Sequence, residues 1–274
     1  MANKPRSAEL HPGPGFRVRM NIPRLPRTTM DRFRRFPTPD VSDLLNRLYA
    51  VDPLISCLTS PDHQLCGPAC TVKVYPGDSL MVHKALDVAE QGDVVVVDAG
   101  ASEMNAVLGD LVSTKAKHRR IAGFVIDGLV RDLPAIKELD FPVFARGTTP
   151  IGPLHRGPGE INYSICCGGV VVNPGDLILA DAMGVVVVPA CIAEELLQRL
   201  EEHDAANADY LASVKQGSFS NAWVDRILTD MECPVVRGAT PAAAVPPEDE
   251  DIGQAPAEAL MGSAVQPSPS AMGG

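Results

Sequence analysis

The sequence has few aromatic residues and no apolar segment long enough to cross a membrane. Aromatic residues make up 4% of the chain, so the core is predicted to be packed mainly from Val, Ala and Leu. A bilayer-spanning helix needs roughly 20 consecutive apolar residues, and no stretch approaches that length. The N-terminus lacks the apolar core of a secretory signal, and its prolines would interrupt the amphipathic helix of a transit peptide. These absences favour a cytoplasmic protein with no membrane association.

The seven cysteines form no disulfide or zinc pattern. An odd number without repeating spacing is typical of a reducing compartment. Cys66 and Cys70 have no second pair at zinc spacing. Cys166 and Cys167 lie in an apolar run, where two small strand residues facing opposite ways are the simpler interpretation.

Charge is concentrated at the two ends of the chain. The net charge of −10 argues against general nucleic-acid binding. Residues 1–37 are nevertheless rich in arginine, and beyond Arg237 there is no Lys or Arg. We predict an irregular basic arm over 1–37, one folded domain over 38–237 and a disordered, acidic, Ala/Pro-rich tail over 238–274. The arm and tail could meet a partner or each other, but solvated disorder is the simpler interpretation.

The central part of the chain alternates helix and strand patterns, and then ends in successive short strands. Helices are predicted to begin near Asp40, Ser79, Gly109, Asp132 and Ile192. Strands are predicted at Val94–Asp98, Ile121–Ile126, Phe141–Ala145, Gly169–Val172, Leu177–Ala180 and Gly184–Val188. Continuous Val and Ile runs are typical of strands covered on both faces. The expected fold class is therefore α/β, a layered domain with a mixed sheet.

One group of polar residues combines two carboxylates with a guanidinium. Asp110 is followed, after one predicted helix and strand, by the adjacent pair Arg131 and Asp132. Carboxylate oxygens suit Mg²⁺ or Mn²⁺, and a planar guanidinium suits the carboxylate of a small keto acid. The spacing alone is a weak signal, because charged residues occur throughout any globular protein.

The sequence around these residues resembles the RraA-like family, which includes 4-hydroxy-4-methyl-2-oxoglutarate aldolase. The resemblance covers roughly residues 38–215 and rests on the order of six segments: Gly92–Asp98, Leu108–Leu111, Gly123–Asp132, Pro142–Gly147, Pro174–Asp176 and Asp181–Pro189. It implies a swivelling β/β/α-type fold assembled as a homotrimer or homohexamer, with active sites between subunits. It also implies a lyase that depends on Mg²⁺ or Mn²⁺. One branch of the family instead includes a regulator of an RNA-degrading endonuclease.

The resemblance implies a role for each residue of the group. Asp132 is the metal ligand, Arg131 pairs with the substrate carboxylate, and Asp110 holds water at the metal and moves a proton. Gly109, Asp110 and Leu111 would offer backbone N–H groups at a helix start to a carboxylate. Without the resemblance, an N-cap for Asp132, a surface ion pair for Arg131 and a helix-start carboxylate for Asp110 are the plainer interpretations.

Other polar residues are weaker candidates. Turn or capping roles are predicted for Asp98, Asp127 and Asp181. Arg146 could face the site or form a structural ion pair, and His83 and His155 are interpreted as structural. The aldolases take an acidic residue from a neighbouring subunit's C-terminal helix. Glu201, Glu202 and Asp204 lie in that region here, although our register places Asn207 nearer to the expected position.

The predicted function is a divalent-metal-dependent lyase. Its substrate would be a 4-hydroxy-2-oxo diacid such as 4-hydroxy-4-methyl-2-oxoglutarate, cleaved to pyruvate, or oxaloacetate, which it would decarboxylate. Both reactions pass through pyruvate enolate. The alternative is a non-catalytic regulator of the same fold that binds an RNA-processing enzyme.

Overall fold

The structure, a computed structural model, describes residues 9–235 and 238 of the chain. The strands are β1 (Phe16–Val18), β2 (Ser56–Cys57), β3 (Leu65–Val74), β4 (Val94–Leu108), β5 (Gly123–Val130), β6 (Val143–Thr148), β7 (Gly159–Ile161), β8 (Ile165–Cys167), β9 (Val170–Val172), β10 (Leu177–Asp181) and β11 (Gly184–Val188). The helices are α1 (Arg27–Phe33), α2 (Thr38–Leu44), α3 (Leu80–Val88), α4 (Asp110–His118), α5 (Leu133–Glu138), α6 (Ala193–Lys215) and α7 (Ala222–Asp230).

The chain divides into two compact units, after Phe219. The first unit contains every strand and the helices up to α6, whereas the second contains α7. The division therefore falls earlier than the boundary predicted at 237. The predicted tail, apart from Gly238, lies outside the described residues.

The sheet is built on four parallel neighbours, β3, β4, β5 and β6. Helices α3, α4 and α5 lie in the connections between them, as parallel strands require. The long strand β3 pairs with β4 through its second half and with β10 through residues 65–68. Antiparallel pairing with β2, β7 and β10 makes the sheet mixed, in agreement with the predicted fold class.

Valines of the central strands point alternately into two cores. Val95 and Val97 pack with α3 and α4 in one hydrophobic cluster. Val94 and Val96 pack in a second cluster with residues of β8 to β11. A third cluster joins β10 and β11 to α1, α2 and α6. The prediction that continuous apolar strands are covered on both faces is confirmed.

The basic arm is not irregular throughout, so the prediction for residues 1–37 is wrong where the structure describes it. Strand β1 pairs in parallel with β7, and α1 places Phe33 in the core at 0% exposure. Several arm arginines make ion pairs with the folded core: Arg17 with Glu160, Arg24 with Asp93, and Arg32 and Arg35 with Glu201. The prediction failed because short elements without local periodicity are stabilised here by tertiary contacts.

Strand β4 is longer than predicted. The sequence predicts a strand over Val94–Asp98, but the strand continues to Leu108 through register shifts against β5. Gly100 and Ala101 take positive φ angles of 65° and 54° at the first of these irregularities. An alternation test misses such a strand, because bulges break the period of two.

None of the helices described by the structure is long and apolar enough to cross a membrane.

Candidate functional site

The three predicted polar residues meet at the carboxyl ends of two adjacent parallel strands. Leu108 at the end of β4 is in register with Val130 at the end of β5. The Arg131 amide donates to the Leu108 carbonyl at 3.0 Å, so the segments that follow both strands lie side by side. The spacing between Asp110 and Arg131 is therefore the length of one helix and one strand. Ligands of open α/β sheets bind at this edge.

Asp132 stands at the N-cap position of α5 but its side chain does not cap the helix. Its backbone has φ 57° and ψ 31°, the left-handed conformation, and the side chain makes no capping hydrogen bond. Asp tolerates this conformation better than most residues. Because the carboxylate is not used by the helix, the N-cap interpretation loses its main support. The side chain is 41% exposed and available to a ligand.

Arg131 lies against Asp132 but its Nε atom has no hydrogen-bond partner. Nε is 3.2 Å from Asp132 Oδ2, an ionic contact. The N–H is not aligned with that oxygen, however, so this buried nitrogen is unsatisfied among the described residues. Buried donors without partners are rare in folded proteins, and they mark places where a ligand or water completes the set. The surface ion-pair interpretation does not account for this atom.

Gly109 leaves the space in which Asp132 and Arg131 sit. A Cβ at Gly109 would lie 2.5 Å from Asp132 Oδ2 and 3.1 Å from Arg131 Cγ. The backbone of Gly109 is extended, with φ −144°, so glycine is required for the close approach and not for its conformation. Any side chain here would displace the carboxylate.

Asp110 begins α4, and one of its oxygens is already engaged. Oδ1 accepts the Leu111 amide at 2.7 Å. This amide is therefore not free to bind a substrate carboxylate as predicted, although the Leu111 side chain is 70% exposed beside the site. The second carboxylate oxygen of Asp110 makes no hydrogen bond within the described residues, and it remains available to hold water or a proton.

A pocket of about 200 Å³ brings the predicted residues together with two histidines. Gly109, Asp110, Leu111 and Arg131 line it with Ser79, His83, Val112, Pro153 and His155. Asp132 lies beside this pocket, in contact with Arg131. The interpretation of the two histidines as structural stays a prediction, although both line this pocket. A sequence signal existed for His155, which lies in the Gly/Pro-rich loop after β6, at the same edge of the sheet.

The carboxylate oxygens of Asp132 and Asp110 suit a hard divalent cation that keeps most of its bound water. No group of three His, Cys, Asp or Glu side chains within residues 9–235 is placed to hold a metal ion. A transition-metal cage is therefore not supported. Mg²⁺ is commonly bound by one or two carboxylates together with water and substrate oxygens. Asp132 fits that requirement, because its carboxylate caps no helix and lies in the space that Gly109 leaves open. Asp110 lines the adjoining pocket.

The remaining strand-end acids have structural partners. Asp98 accepts the Gly100 amide, and Asp181 accepts both the amide and the hydroxyl of Thr38. These contacts confirm the predicted turn and capping roles. Asp127 instead lies inside β5, where it accepts the distant Gly168 amide and pairs with Arg146, so the prediction of a turn at Asp127 is wrong.

Of the two interpretations that the sequence allowed for Arg146, the structure shows the structural ion pair. It contacts Asp127 at 2.5 Å and Asp52 at 2.9 Å. Burial alone would lower the pKa of Arg146, but hydrogen bonds to these two carboxylates raise it above its ordinary value. The guanidinium is therefore fully charged and committed to its acidic partners.

The acids of α6 are partly engaged within their own chain. Glu201 accepts from Arg32 at 2.6 and 3.0 Å, and this hydrogen bonding lowers the pKa of Glu201. Glu202 accepts from Gln198 at 2.9 Å. Asn207 lies within 3.0 Å of the His203 ring. The prediction that one of Glu201, Glu202 and Asp204 completes a neighbouring site stays a prediction, with Glu201 the least available.

A larger cavity, of about 400 Å³, lies elsewhere, and two of its arginines are engaged in contacts that hold the arm. It is bounded by α1 and the turn at Gly92, with Arg24, Arg34 and Arg120 in its lining. Arg24 forms a two-pronged contact with the buried Asp93, and Arg34 donates to the Cys66 carbonyl. Two of the arginines thus hold the arm in place, and we assign the functional site to the smaller pocket.

The fold and site together define an RraA-like α/β protein. The RraA-like family model, described as Aldolase/RraA, matches residues 38–187. The chain belongs to this family.

Three similar proteins illustrate the range of the family. A Halalkalibacterium halodurans protein, provisionally named 4-hydroxy-4-methyl-2-oxoglutarate aldolase, is 46% identical over 174 residues, which cover 64% of this chain and 82% of the relative. A solved structure from Pseudomonas syringae has a TM-score of 0.63 at 25% identity, covering 72% of this chain and 97% of the other. An unusual member of the RNase ES inhibitor RraA protein family from Streptomyces coelicolor has a TM-score of 0.61 at 28% identity, covering 68% and 97%.

Proposed function

We propose that this protein is a divalent-metal-dependent carbon–carbon lyase that forms pyruvate from a 4-hydroxy-2-oxo diacid or from oxaloacetate. The observation that carries the proposal is that the Asp132 carboxylate caps no helix and lies beside the buried Nε of Arg131, which has no hydrogen-bond partner among the described residues. The Asp132 carboxylate caps no helix and suits a divalent cation, whereas the Arg131 donor suits the carboxylate of a keto acid. The relative named as an aldolase supports the same reaction class.

Both reactions require negative charge to be stabilised on the keto oxygen. A divalent cation held by Asp132 would supply Lewis-acid stabilisation of that charge when it is bound. Arg131 would bind the substrate carboxylate, and its Nε would gain the acceptor that it lacks. Gly109 keeps the approach to Asp132 open, because it has no side chain beside that carboxylate.

Asp110 is suited to move the proton. Its Oδ1 accepts the Leu111 amide, so the side chain is held in one orientation, while its other oxygen has no hydrogen-bond partner among the described residues. General acid–base catalysis needs a positioned carboxylate of this kind. In the cleavage direction Asp110 would take the proton from the 4-hydroxyl group, directly or through water.

Assembly into a homotrimer or homohexamer is part of the proposal. The second half of α6 is exposed, with Tyr210 at 51% and Leu211 at 52%. A neighbouring subunit could cover this half-helix and receive an acidic residue from it. Size-exclusion chromatography with light scattering tests the assembly, and a monomer would contradict it.

The test of the activity measures pyruvate. The protein is incubated with oxaloacetate, or with 4-hydroxy-4-methyl-2-oxoglutarate, in Mg²⁺ or Mn²⁺, with and without EDTA. We expect pyruvate release that EDTA abolishes and added metal restores. Absent or metal-independent turnover of both substrates would reject the proposal.

A second candidate is a regulator that binds an RNA-processing enzyme. The observation in its favour is the structural likeness to the RNase ES inhibitor family member. Against it, the arm arginines that could have met an acidic partner form ion pairs within the chain. Inhibition of RNase ES cleavage by the purified protein, without lyase activity, would favour this candidate.

A further inference from the structure

The larger cavity, of about 400 Å³, lies at the opposite edge of the parallel sheet from the proposed active site. Asp110 and Arg131 follow the carboxyl ends of β4 and β5. Gly92 and Arg120, which line the cavity, precede the same two strands, and the Gly92 amide donates to the Arg120 carbonyl at 2.9 Å. The arm bounds the cavity from the other side, through residues 24–34. The two strands therefore separate this cavity from the proposed active site.

The charges that line this cavity do not balance. The charged residues of the lining are Arg24, Arg27, Arg34, Arg120, Asp31 and Asp93. Arg24 pairs with the buried Asp93. Arg34 lies 3.3 Å from Asp31. Arg27 and Arg120 form no ion pair among the described residues, so two guanidinium groups are left to bind an anion.

Arg120 is held in a backbone conformation that is unfavourable for arginine. Its φ angle is 59°, in the left-handed region, where a Cβ lies too close to the following carbonyl and glycine is favoured. Its guanidinium has one long contact, 3.5 Å from Nη1 to the neutral Oε1 of Gln91, and no other hydrogen bond within the described residues. Strained residues cluster at ligand sites. The strain at Arg120 thus places a charge at the cavity that no carboxylate of the described residues balances.

The lining indicates the chemistry of the ligand. A guanidinium presents a planar set of N–H donors that matches a phosphate group. A phosphate monoester carries a charge of about −1.5 to −2 at pH 7, which matches two unpaired guanidinium groups. Leu25, Met30 and Pro68 form an apolar part of the wall. The volume of about 400 Å³ lies within the range of small-molecule sites.

We propose that this cavity binds a small phosphate monoester whose organic part is apolar or planar. Arg27, at the start of α1, and Arg120, before β5, hold the phosphate, and the apolar wall packs against the organic part. Because one arginine belongs to the arm and the other to the sheet, the bound ligand also connects the arm to the sheet. The proposal does not rest on the lyase activity, since neither arginine takes part in it.

The experiment compares two phosphate esters with their dephosphorylated forms. Adenosine monophosphate is compared with adenosine, and phenyl phosphate with phenol, by calorimetric titration of the full chain at low salt without added metal. At least one ester should bind about tenfold more tightly than its counterpart, the effect of hydrogen bonds between charged groups. That ester should also raise the melting temperature, because it binds the folded state.

Arg120→Gly separates a role in binding from a role in the fold. Glycine accepts a φ angle of 59°, so the melting temperature of the ligand-free variant should stay the same or rise. Its affinity for the phosphate ester should nevertheless fall about tenfold. Arg27→Gln should lose affinity to a similar extent, because Arg27 is unpaired among the described residues and lines the same cavity.

Arg47→Gly is the matched control. Arg47 also has a positive φ, 64°, but it pairs with Asp43 at the surface and does not line the cavity. This variant should keep the affinity of the unaltered protein. The proposal is overturned if neither ester binds more tightly than its counterpart, or if Arg27→Gln and Arg120→Gly both keep the original affinity. It is also overturned if Arg47→Gly loses as much affinity as they do, because phosphate would then be attracted by basic residues in general. No outcome depends on pyruvate release, so failure of the lyase proposal is distinguishable.

Discussion

At the scale of single residues, the site depends on side chains that the fold leaves unused. Asp132 occupies a helix N-cap position without capping, and Arg131 has a buried donor without a partner. Strained or unsatisfied groups persist where a ligand compensates for them. Two predictions follow from the geometry around Asp132.

Replacing Asp132 by Asn should remove metal-dependent activity without unfolding the protein. Asn tolerates the left-handed conformation but has no charge for a cation. We expect metal-stimulated pyruvate release to fall by at least about 100-fold, which is the upper end of the loss seen when a residue that only orients a metal ligand is replaced. The melting temperature should change little, because the Asp132 side chain caps no helix.

Asp140→Asn is the matched control for this variant. Asp140 also has a positive φ, 51°, but its exposed carboxylate contacts His63 and not the pocket. This control should retain full activity. Equal metal dependence in Asp132→Asn and the unaltered protein would remove Asp132 from the metal site.

Replacing Gly109 by Ala should impair catalysis more than folding. The added Cβ would lie 2.5 Å from Asp132 Oδ2, so the carboxylate must move. The extended backbone at Gly109 accepts alanine, and the fold should survive. We expect a higher metal concentration for half-maximal activity, measured by Mn²⁺ titration, with a circular dichroism spectrum like that of the original. Gly238→Ala is the control, because a Cβ there meets nothing within 4 Å. An unchanged Mn²⁺ requirement in Gly109→Ala would contradict the claim that the Asp132 carboxylate needs the space left by Gly109.

At the scale of elements, the arm is a structural part of the first unit. Strand β1 extends the sheet through β7, and α1 packs against α6 and β3. The contact between Arg24 and Asp93 connects the segment between β1 and α1 to the turn before β4. Asp93 is nearly buried, with its side chain 1% exposed, and so depends on that arginine for its charge balance.

Arg24→Met should destabilise the fold. It leaves the buried Asp93 carboxylate without its two-pronged partner, which costs about 1–3 kcal/mol. Chemical denaturation should show a lower free energy of unfolding by that amount. Arg47→Met, which breaks the exposed pair of Arg47 with Asp43, should change stability by less than about 0.5 kcal/mol. Equal effects of the two variants would mean that the arm is not anchored at Asp93.

At the scale of the whole molecule, ion pairs between the arm and the core set the response to acid. Burial alone would raise the pKa of Glu160, but hydrogen bonds from Gly15 and Arg17 outweigh it and lower the pKa below 4.5. The pKa of Glu201 is also lowered, chiefly by the hydrogen bond from Arg32. Both carboxylates connect the arm to later parts of the chain.

Acid should therefore release the arm. A lowered folded-state pKa means that the unfolded chain binds protons first, so this stabilisation is present above pH 4.5 and is lost as the pH falls through the lower folded values. Glu160→Gln and Glu201→Gln together should flatten the fall of the melting temperature between about pH 5 and pH 3. The same slope in variant and original would contradict this assignment.

The sequence alone predicts the order of the central helices and strands, and it indicates the residues that we propose for the site. Val-rich runs predict strands covered on two faces, because successive side chains of a strand point to opposite faces and in these runs both sets are apolar. The segments around Asp110 and Arg131 carry the family resemblance, and a helix and a strand between them return the chain to the same sheet edge. The predicted helix at Gly109–Arg119 matches α4, Asp110–His118, almost residue for residue.

Two features depend on contacts between distant parts of the chain and are visible only in the tertiary structure: the packing of the arm and the composition of the pocket. The structure docks the basic arm, because arginines that look solvated in the sequence meet Glu160, Asp93 and Glu201 only after folding. It places His83 and His155 in one pocket, although three strands of the parallel sheet, β4, β5 and β6, lie between them along the chain. Long-range pairing of this kind leaves no periodic signal in the sequence, whereas strands and helices do.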